Sequence, residues 1–172
     1  MIKYMFPRLP LLLFAFFIQV IFYGCNKKED EPSDTNPEPI PFGVATVNGL
    51  LNEYGKYKYF LIETGGTFEN NLILFRGAQE KIHITFRGTD EGIYKIVPGD
   101  TTTRIRYYDA GGRMFKADSG SVNVAEFTFR NGAYTMSGGF AFNAFLKIQF
   151  ADTSYSIKAA VRDGAFLPIT NN

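Results

Sequence analysis

The chain has 172 residues, with 18 Lys and Arg against 17 Asp and Glu, one His, one Cys and no Trp. A single cysteine excludes an intrachain disulfide and thiolate metal clusters, and the length fits one ordinary domain beside a targeting segment. The net charge is +1 and the bases are scattered along the chain, so no basic stripe marks nucleic acid as a partner.

The first segment carries Lys3 and Arg8 and no acid, and an apolar run then extends from Leu9 to Tyr23, broken only by Pro10 and Gln19. A basic start, an apolar stretch and a small residue before a cut are the parts of a secretion signal, predicted here over residues 1–24. As a helix the run would span about 22 Å at ~1.5 Å per residue, short of the ~30 Å hydrocarbon core, which favours a cleaved leader over a retained anchor. The run ends in Phe22-Tyr23-Gly24-Cys25, which resembles a lipobox. That resemblance implies cleavage between Gly24 and Cys25 and acylation of Cys25. Several acyl chains hold firmly, since each buried CH₂ contributes ~0.8 kcal/mol.

Residues 25–42 read as a lipidated Cys followed by a disordered acidic tether. After Cys25, the stretch to Pro41 contains Lys27 and Lys28, five acids and four prolines, with almost nothing apolar to build a core. Lys28-Glu29-Asp30-Glu31 resembles the acidic export signal of surface lipoproteins in Bacteroidota, with a plain solvated linker as the alternative. Asn26 is not the Asp that marks inner-membrane retention. The expected address is therefore the outer membrane, lipid-anchored and surface-exposed.

A β-domain is predicted over residues 43–172, because the apolar period from Gly43 onward is two. Strands are expected at Val44–Leu51, Tyr57–Glu63, Asn71–Phe75, Lys81–Arg87, Ile93–Val97, Arg104–Asp109 and Tyr155–Arg162. Turn chemistry separates them, notably Gly65-Gly66, Pro98-Gly99-Asp100, Gly111-Gly112 and Asp163-Gly164. Asn131-Gly132 predicts a type I′ hairpin, with Arg130 opposite Ala133, Phe129 opposite Tyr134 and Phe127 opposite Met136. Val122 and Val124 are out of phase with Phe127 and Phe129, which predicts a β-bulge near Ala125-Glu126. From Phe140 to Phe150 the even positions are apolar and predict one buried face. Roughly ten short antiparallel strands give an all-β fold, a β-sandwich or, alternatively, a β-barrel.

Four pieces carry a family resemblance. They are Ala45-Thr46-Val47-Asn48-Gly49, Gly92-Ile93-Tyr94-Lys95-Ile96, Gly120–Val124 with Met136–Ala144, and Val161–Phe166. In this order the chain resembles a family of small Bacteroidota lipoprotein domains of unknown function. The resemblance implies an all-β, extracytoplasmic domain and carries over no catalytic residue.

No catalytic constellation is read from the residues, and neither a metal site nor a cofactor is expected. His83 shares a strand face with Lys81, Thr85 and Arg87, opposite Ile82, Ile84 and Phe86, which predicts a solvent-facing position. One His and one lipidated Cys give too few ligands for zinc. Asp90-Glu91 are adjacent and would point apart in a strand or turn, an unsuitable pair for a glycosidase. Asp109, Asp118 and Asp163 sit beside glycines or at strand ends, without the repeat of a calcium loop. Tyr54, Tyr57, Tyr59, Tyr107 and Tyr108 would serve either as cross-strand packing or as a flat ligand platform, with Tyr107 and Tyr108 its centre. Three readings compete: a lipid-anchored, non-catalytic binding or structural domain, a glycan-binding module, and a carboxylate-dependent hydrolase. The expected partners are the membrane, through the lipid, and an extracellular glycan or protein.

Overall fold

The structure, a computed structural model, describes residues 40–171. Gly24, Cys25 and the Lys28-Glu29-Asp30-Glu31 run lie outside the described residues. Ten strands follow one another: β1 (Gly43–Val47), β2 (Leu50–Tyr54), β3 (Lys56–Thr64), β4 (Thr67–Arg76), β5 (Glu80–Arg87), β6 (Gly92–Ile96), β7 (Thr103–Tyr108), β8 (Met114–Arg130), β9 (Ala133–Gln149) and β10 (Ser154–Thr170). Their hydrogen-bonded order is β2-β1-β10-β9-β8-β7-β5-β4-β3, every pairing antiparallel, with β6 laid against β8 off this path. The all-β antiparallel fold expected from the period is thus present. Its strands form one sheet curled into a half-barrel, the geometry of the barrel alternative, and among the described residues no separate second sheet is stacked on it.

Three strands of 17 residues make the curl. Bulges interrupt their ladders, each adding local twist. The β8–β9 register slips between Ala117 and Ser119 and again between Val124 and Glu126, while β9–β10 slips between Val161 and Gly164 and between Phe166 and Ile169. Gly120 holds φ +133 beside the first slip, and a Cβ there would overlap the carbonyl oxygen of Ala141. Only glycine has both the conformational freedom and the missing side chain this position needs.

The concave face holds the core, from Ala45 to Ile169, with Leu72, Ile82, Ile84, Phe86, Val122 and Phe142 among its most buried members. Curling brings the two ends of the sheet together. A Cβ on Gly43 would lie 3.0 Å from Leu74 Cδ1 across the interior, and Phe42 meets Tyr57 edge-on, with centroids 4.7 Å apart. The end strands β2 and β3 share no backbone ladder, so side chains close this seam. Pro39–Asn172 is one compact unit enclosing this core.

The central hairpin follows the sequence expectation pair by pair: Arg130 faces Ala133, Phe129 faces Tyr134, Phe127 faces Met136, and the ladder slips at Ala125. Both turn residues have positive φ, 52 at Asn131 and 82 at Gly132. Three expectations differ. Val44–Leu51 is two strands, because Asn48-Gly49 is itself a turn with φ 49 and 86. Asp163-Gly164 does not end a strand; Asp163 is the bulged residue, at φ 51, and β10 continues to Thr170. Phe142 and Ala144 are buried as expected, but β9 stops at Gln149 and leaves Phe150 56% exposed.

Candidate functional site

Glu80 opens β5 in phase with Ile82 and Ile84, so the strand's own alternation turns its carboxylate inward. It is the one buried acid among the described residues. Asn52 Nδ2 donates to Oε1 at 3.1 Å, Tyr107 Oη donates to the same oxygen at 3.0 Å, and Arg76 Nη1 donates to Oε2 at 2.9 Å. Four strands, β2, β4, β5 and β7, meet on this carboxylate. Tyr54 Oη is buried nearby and has no hydrogen-bond partner among the described residues. Burial, and then the charge of Glu80, push the Tyr54 and Tyr107 phenols well above the ordinary tyrosine range. Burial does the same to Tyr59, whose hydroxyl donates to Asn70 Oδ1 at 2.8 Å. With both oxygens engaged, Glu80 is arranged as a tie across the seam.

The convex face carries most of the charge. His83 lies on that face, as its phase predicts, but it is half-buried because its neighbours crowd it. Its Nε2 is 3.2 Å from Asn71 Oδ1 and 3.4 Å from Thr85 Oγ1. Burial, followed by Arg106, Lys81 and Arg104, lowers the imidazole pKa below its usual value, against a weaker opposing pull from Glu69. The cross-strand register sets His83 beside Arg106 and Arg106 beside Lys116. The pairing therefore gathers bases that the linear sequence spreads out.

Beside this row is a recess of about 720 Å³, lined by Met114, Lys116, Asp118, Phe145, Lys147 and Ser156 among others. The slip between Ala117 and Ser119 places Asp118 out of the ladder at its edge. Lys116 faces Phe145 directly, and Lys147 faces Ser156. The recess joins an apolar floor to two ammonium groups and one carboxylate, a combination suited to reversible recognition of a polar ligand.

The predicted tyrosine platform does not form. Tyr107 and Tyr108 are consecutive in β7 and point to opposite faces: Tyr107 is buried against Glu80, while Tyr108 faces out under Lys81 Nζ, 4.5 Å from the ring centroid. Tyr54 and Tyr59 are core residues, so cross-strand packing is the role the structure gives these rings. Asp109 is engaged by its own turn, accepting from the N–H groups of Gly111 and Arg113 and from Arg113 Nε. Asp90, Glu91, Asp118 and Asp163 are exposed. Among the described residues no three His, Cys, Asp or Glu side chains converge as metal ligands would.

Glu80 and the Arg106–Lys116 pair were missed in the residues, although a signal existed for the first. Phase with Ile82 and Ile84 marks Glu80 as inward. The second depends on which strands are neighbours, which the sequence does not state.

The fold and these sites define a small antiparallel half-barrel with a polar convex face. The chain belongs to the family described as Domain of unknown function (DUF6252), which matches residues 63–170, from the end of β3 through β10. No curated protein and no solved structure matches it.

Proposed function

We propose that the chain is a lipid-anchored, outer-membrane protein of the Bacteroidota lipoprotein type, whose β-domain binds or supports an extracellular partner without catalysis. The observation that carries this reading is the apolar run Leu9–Tyr23 ending in Gly24-Cys25 and followed at once by a charged, proline-rich tail. Such a leader delivers the chain to the envelope, and acyl chains on Cys25 retain it there. The tail acts as a spacer of up to about 50 Å at ~3.3 Å per residue. Lys28-Glu29-Asp30-Glu31 then directs the domain outward. Support for binding comes from the recess around Phe145, whose single carboxylate, Asp118, suits contact better than two-carboxylate hydrolysis. Replacing Cys25→Ser should move the chain from the detergent phase of an envelope extract to the aqueous phase. Retention of the variant in the detergent phase would contradict lipid anchoring.

A second reading, a glycan-binding module, has its own observation. Phe150 and Tyr155 stack at the β9–β10 tip, centroids 5.7 Å apart and planes 21° off parallel. They are 56% and 50% exposed, an apolar surface with a phenol at its rim. Loss of glycan-array binding in F150A/Y155A, with unchanged melting, would select this reading.

A further inference from the structure

β8 changes partner along its length. It pairs with β7 only from Met114 to Lys116, opposite Tyr108 to Arg106, and takes up β6 from Gly120 onward. The sheet therefore forks between β6 and β7, and the outer half of β7, Thr103–Ile105, has a ladder with β5 on one side only. The fork borders a recess of about 180 Å³, with Thr103, Arg104, Ile105, Arg106, Lys116 and Ala117 among its lining residues.

Arg106 and Lys116 thus border one small concavity, while the Arg104 guanidinium is drawn across β5 to Glu69 on β4. Arg106 and Lys116 are direct cross-strand neighbours, so their Cβ atoms are about 5 Å apart, a spacing at which like charges repel. Among the described residues neither has a carboxylate within ion-pair distance. Arg104 gives Nη2 to Glu69 at 3.1 Å, but its Nε is buried with no hydrogen-bond partner. Asp100, the one carboxylate in the lining, is engaged by its own loop: it accepts the Thr102 N–H at 2.8 Å and the Thr102 hydroxyl at 2.7 Å.

We propose that this fork is a binding site for a phosphate or sulfate group, held by Arg106 and Lys116. The tetrahedral oxyanion accepts from the guanidinium of Arg106, whose planar N–H pairs match its oxygens, and from the ammonium of Lys116. It removes the repulsion between Arg106 and Lys116. The size of the recess suits one such group on a larger molecule. The site is independent of the lipid anchor and of the recess around Phe145 apart from the shared Lys116.

The test uses residues 39–172 and follows backbone amides and the ring of His83, the chain's only histidine and the cross-strand neighbour of Arg106, by NMR. Titration with inorganic phosphate, and separately sulfate, at fixed ionic strength should give saturable shifts at Arg106, Lys116 and His83. R106Q and K116Q, both on the convex face, should each weaken binding about tenfold, the loss of one charge-assisted contact. R106K should retain an intermediate affinity, which separates lost charge from lost fold. Phosphatidylcholine vesicles with and without phosphatidylglycerol identify the source. Co-sedimentation that needs the anionic lipid and is lost in R106Q assigns a lipid headgroup; phosphate binding without co-sedimentation assigns a soluble or glycan-borne oxyanion. Non-saturating shifts, equal shifts from chloride, or unchanged affinity in both Gln variants would overturn the proposal.

Discussion

Asn52 donates from Nδ2 to Glu80 Oε1 at 3.1 Å, a bond between β2 and β5, which share no backbone ladder. The half-barrel is held shut at this seam by side chains, and Glu80 is where four strands converge. Removing the carboxylate leaves Asn52, Tyr107 and Arg76 without their acceptor in a buried setting. Glu80→Ala should therefore cost about 3 kcal/mol of stability, and Asn52→Ala about 1 kcal/mol. Urea unfolding of residues 39–172 measures both. A coupling near zero in the E80A/N52A double-mutant cycle would show that the seam bond contributes nothing.

The buried phenols give an alkaline prediction. Tyr54, Tyr59 and Tyr107 have folded pKa values raised by burial above the ordinary value of 10.0. Their contribution to stability is complete below pH 10 and is lost as pH rises past it, because the unfolded chain then ionises more readily than the folded one. Absorbance titration at ultraviolet wavelengths should show these three phenols silent until the domain unfolds. A smooth titration of all the tyrosines with the fold intact would contradict their placement.

His83 gives the opposite window. Its folded pKa lies below the ordinary histidine value of 6.5, through burial first and then Arg106, Lys81 and Arg104. The unfolded chain therefore binds the proton more readily. Stability from the neutral imidazole is present above the unfolded pKa and is lost as pH falls through it toward and below the folded one. The melting temperature of the wild type should fall relative to that of His83→Gln between pH 7.5 and 5. A constant difference across that range would place His83 in free solvent.

Two glycines separate conformational cost from steric cost. Gly132 has φ +82 with open space for a Cβ, whereas Gly120 has φ +133 and backbone where a Cβ would go. Gly132→Ala should cost about 1–2 kcal/mol, the strain of a left-handed residue. Gly120→Ala should exceed about 4 kcal/mol, because Ala141 and Phe142 must also move. Equal effects in thermal melts would remove Gly120 from its role at the partner switch of β8.

What was legible in the sequence was local and periodic. The Asn131-Gly132 turn fixes its own register, so the pairs out to Phe127 and Met136, and the bulge at Ala125, follow by counting. The same logic was available at Asn48-Gly49, where the shared odd-position phase of Ala45, Val47 and Leu51 resembles the alternation of one uninterrupted strand. The exposure of Leu50 and Leu51, 72% and 66%, shows that this alternation did not track burial on an edge strand. Asp163-Gly164 has turn chemistry, yet a single positive φ is as good for a bulge as for a turn. The recesses were illegible for a different reason. Lys116 meets Arg106 because β8 lies beside β7, and Glu80 meets Asn52 because the sheet curls; both relations are long-range. Charge counted along the chain could not reveal a cationic fork built from two strands.

Tail and domain should act separately. Glu29, Asp30 and Glu31 lie close to Cys25 in sequence and well before the core, which begins at Ala45. Replacing all three by Ala should leave the melting temperature unchanged and reduce labelling of intact cells by an external protease. Undiminished labelling would reduce this stretch to a spacer.

The most direct test of the account is the intact mass of the mature protein purified from the cell envelope. The expected mass is that of a chain that begins at Cys25 and carries diacylglyceryl on its sulfur and an acyl group on its amine. A free Cys25 thiol, or retention of residues 1–24, would contradict it.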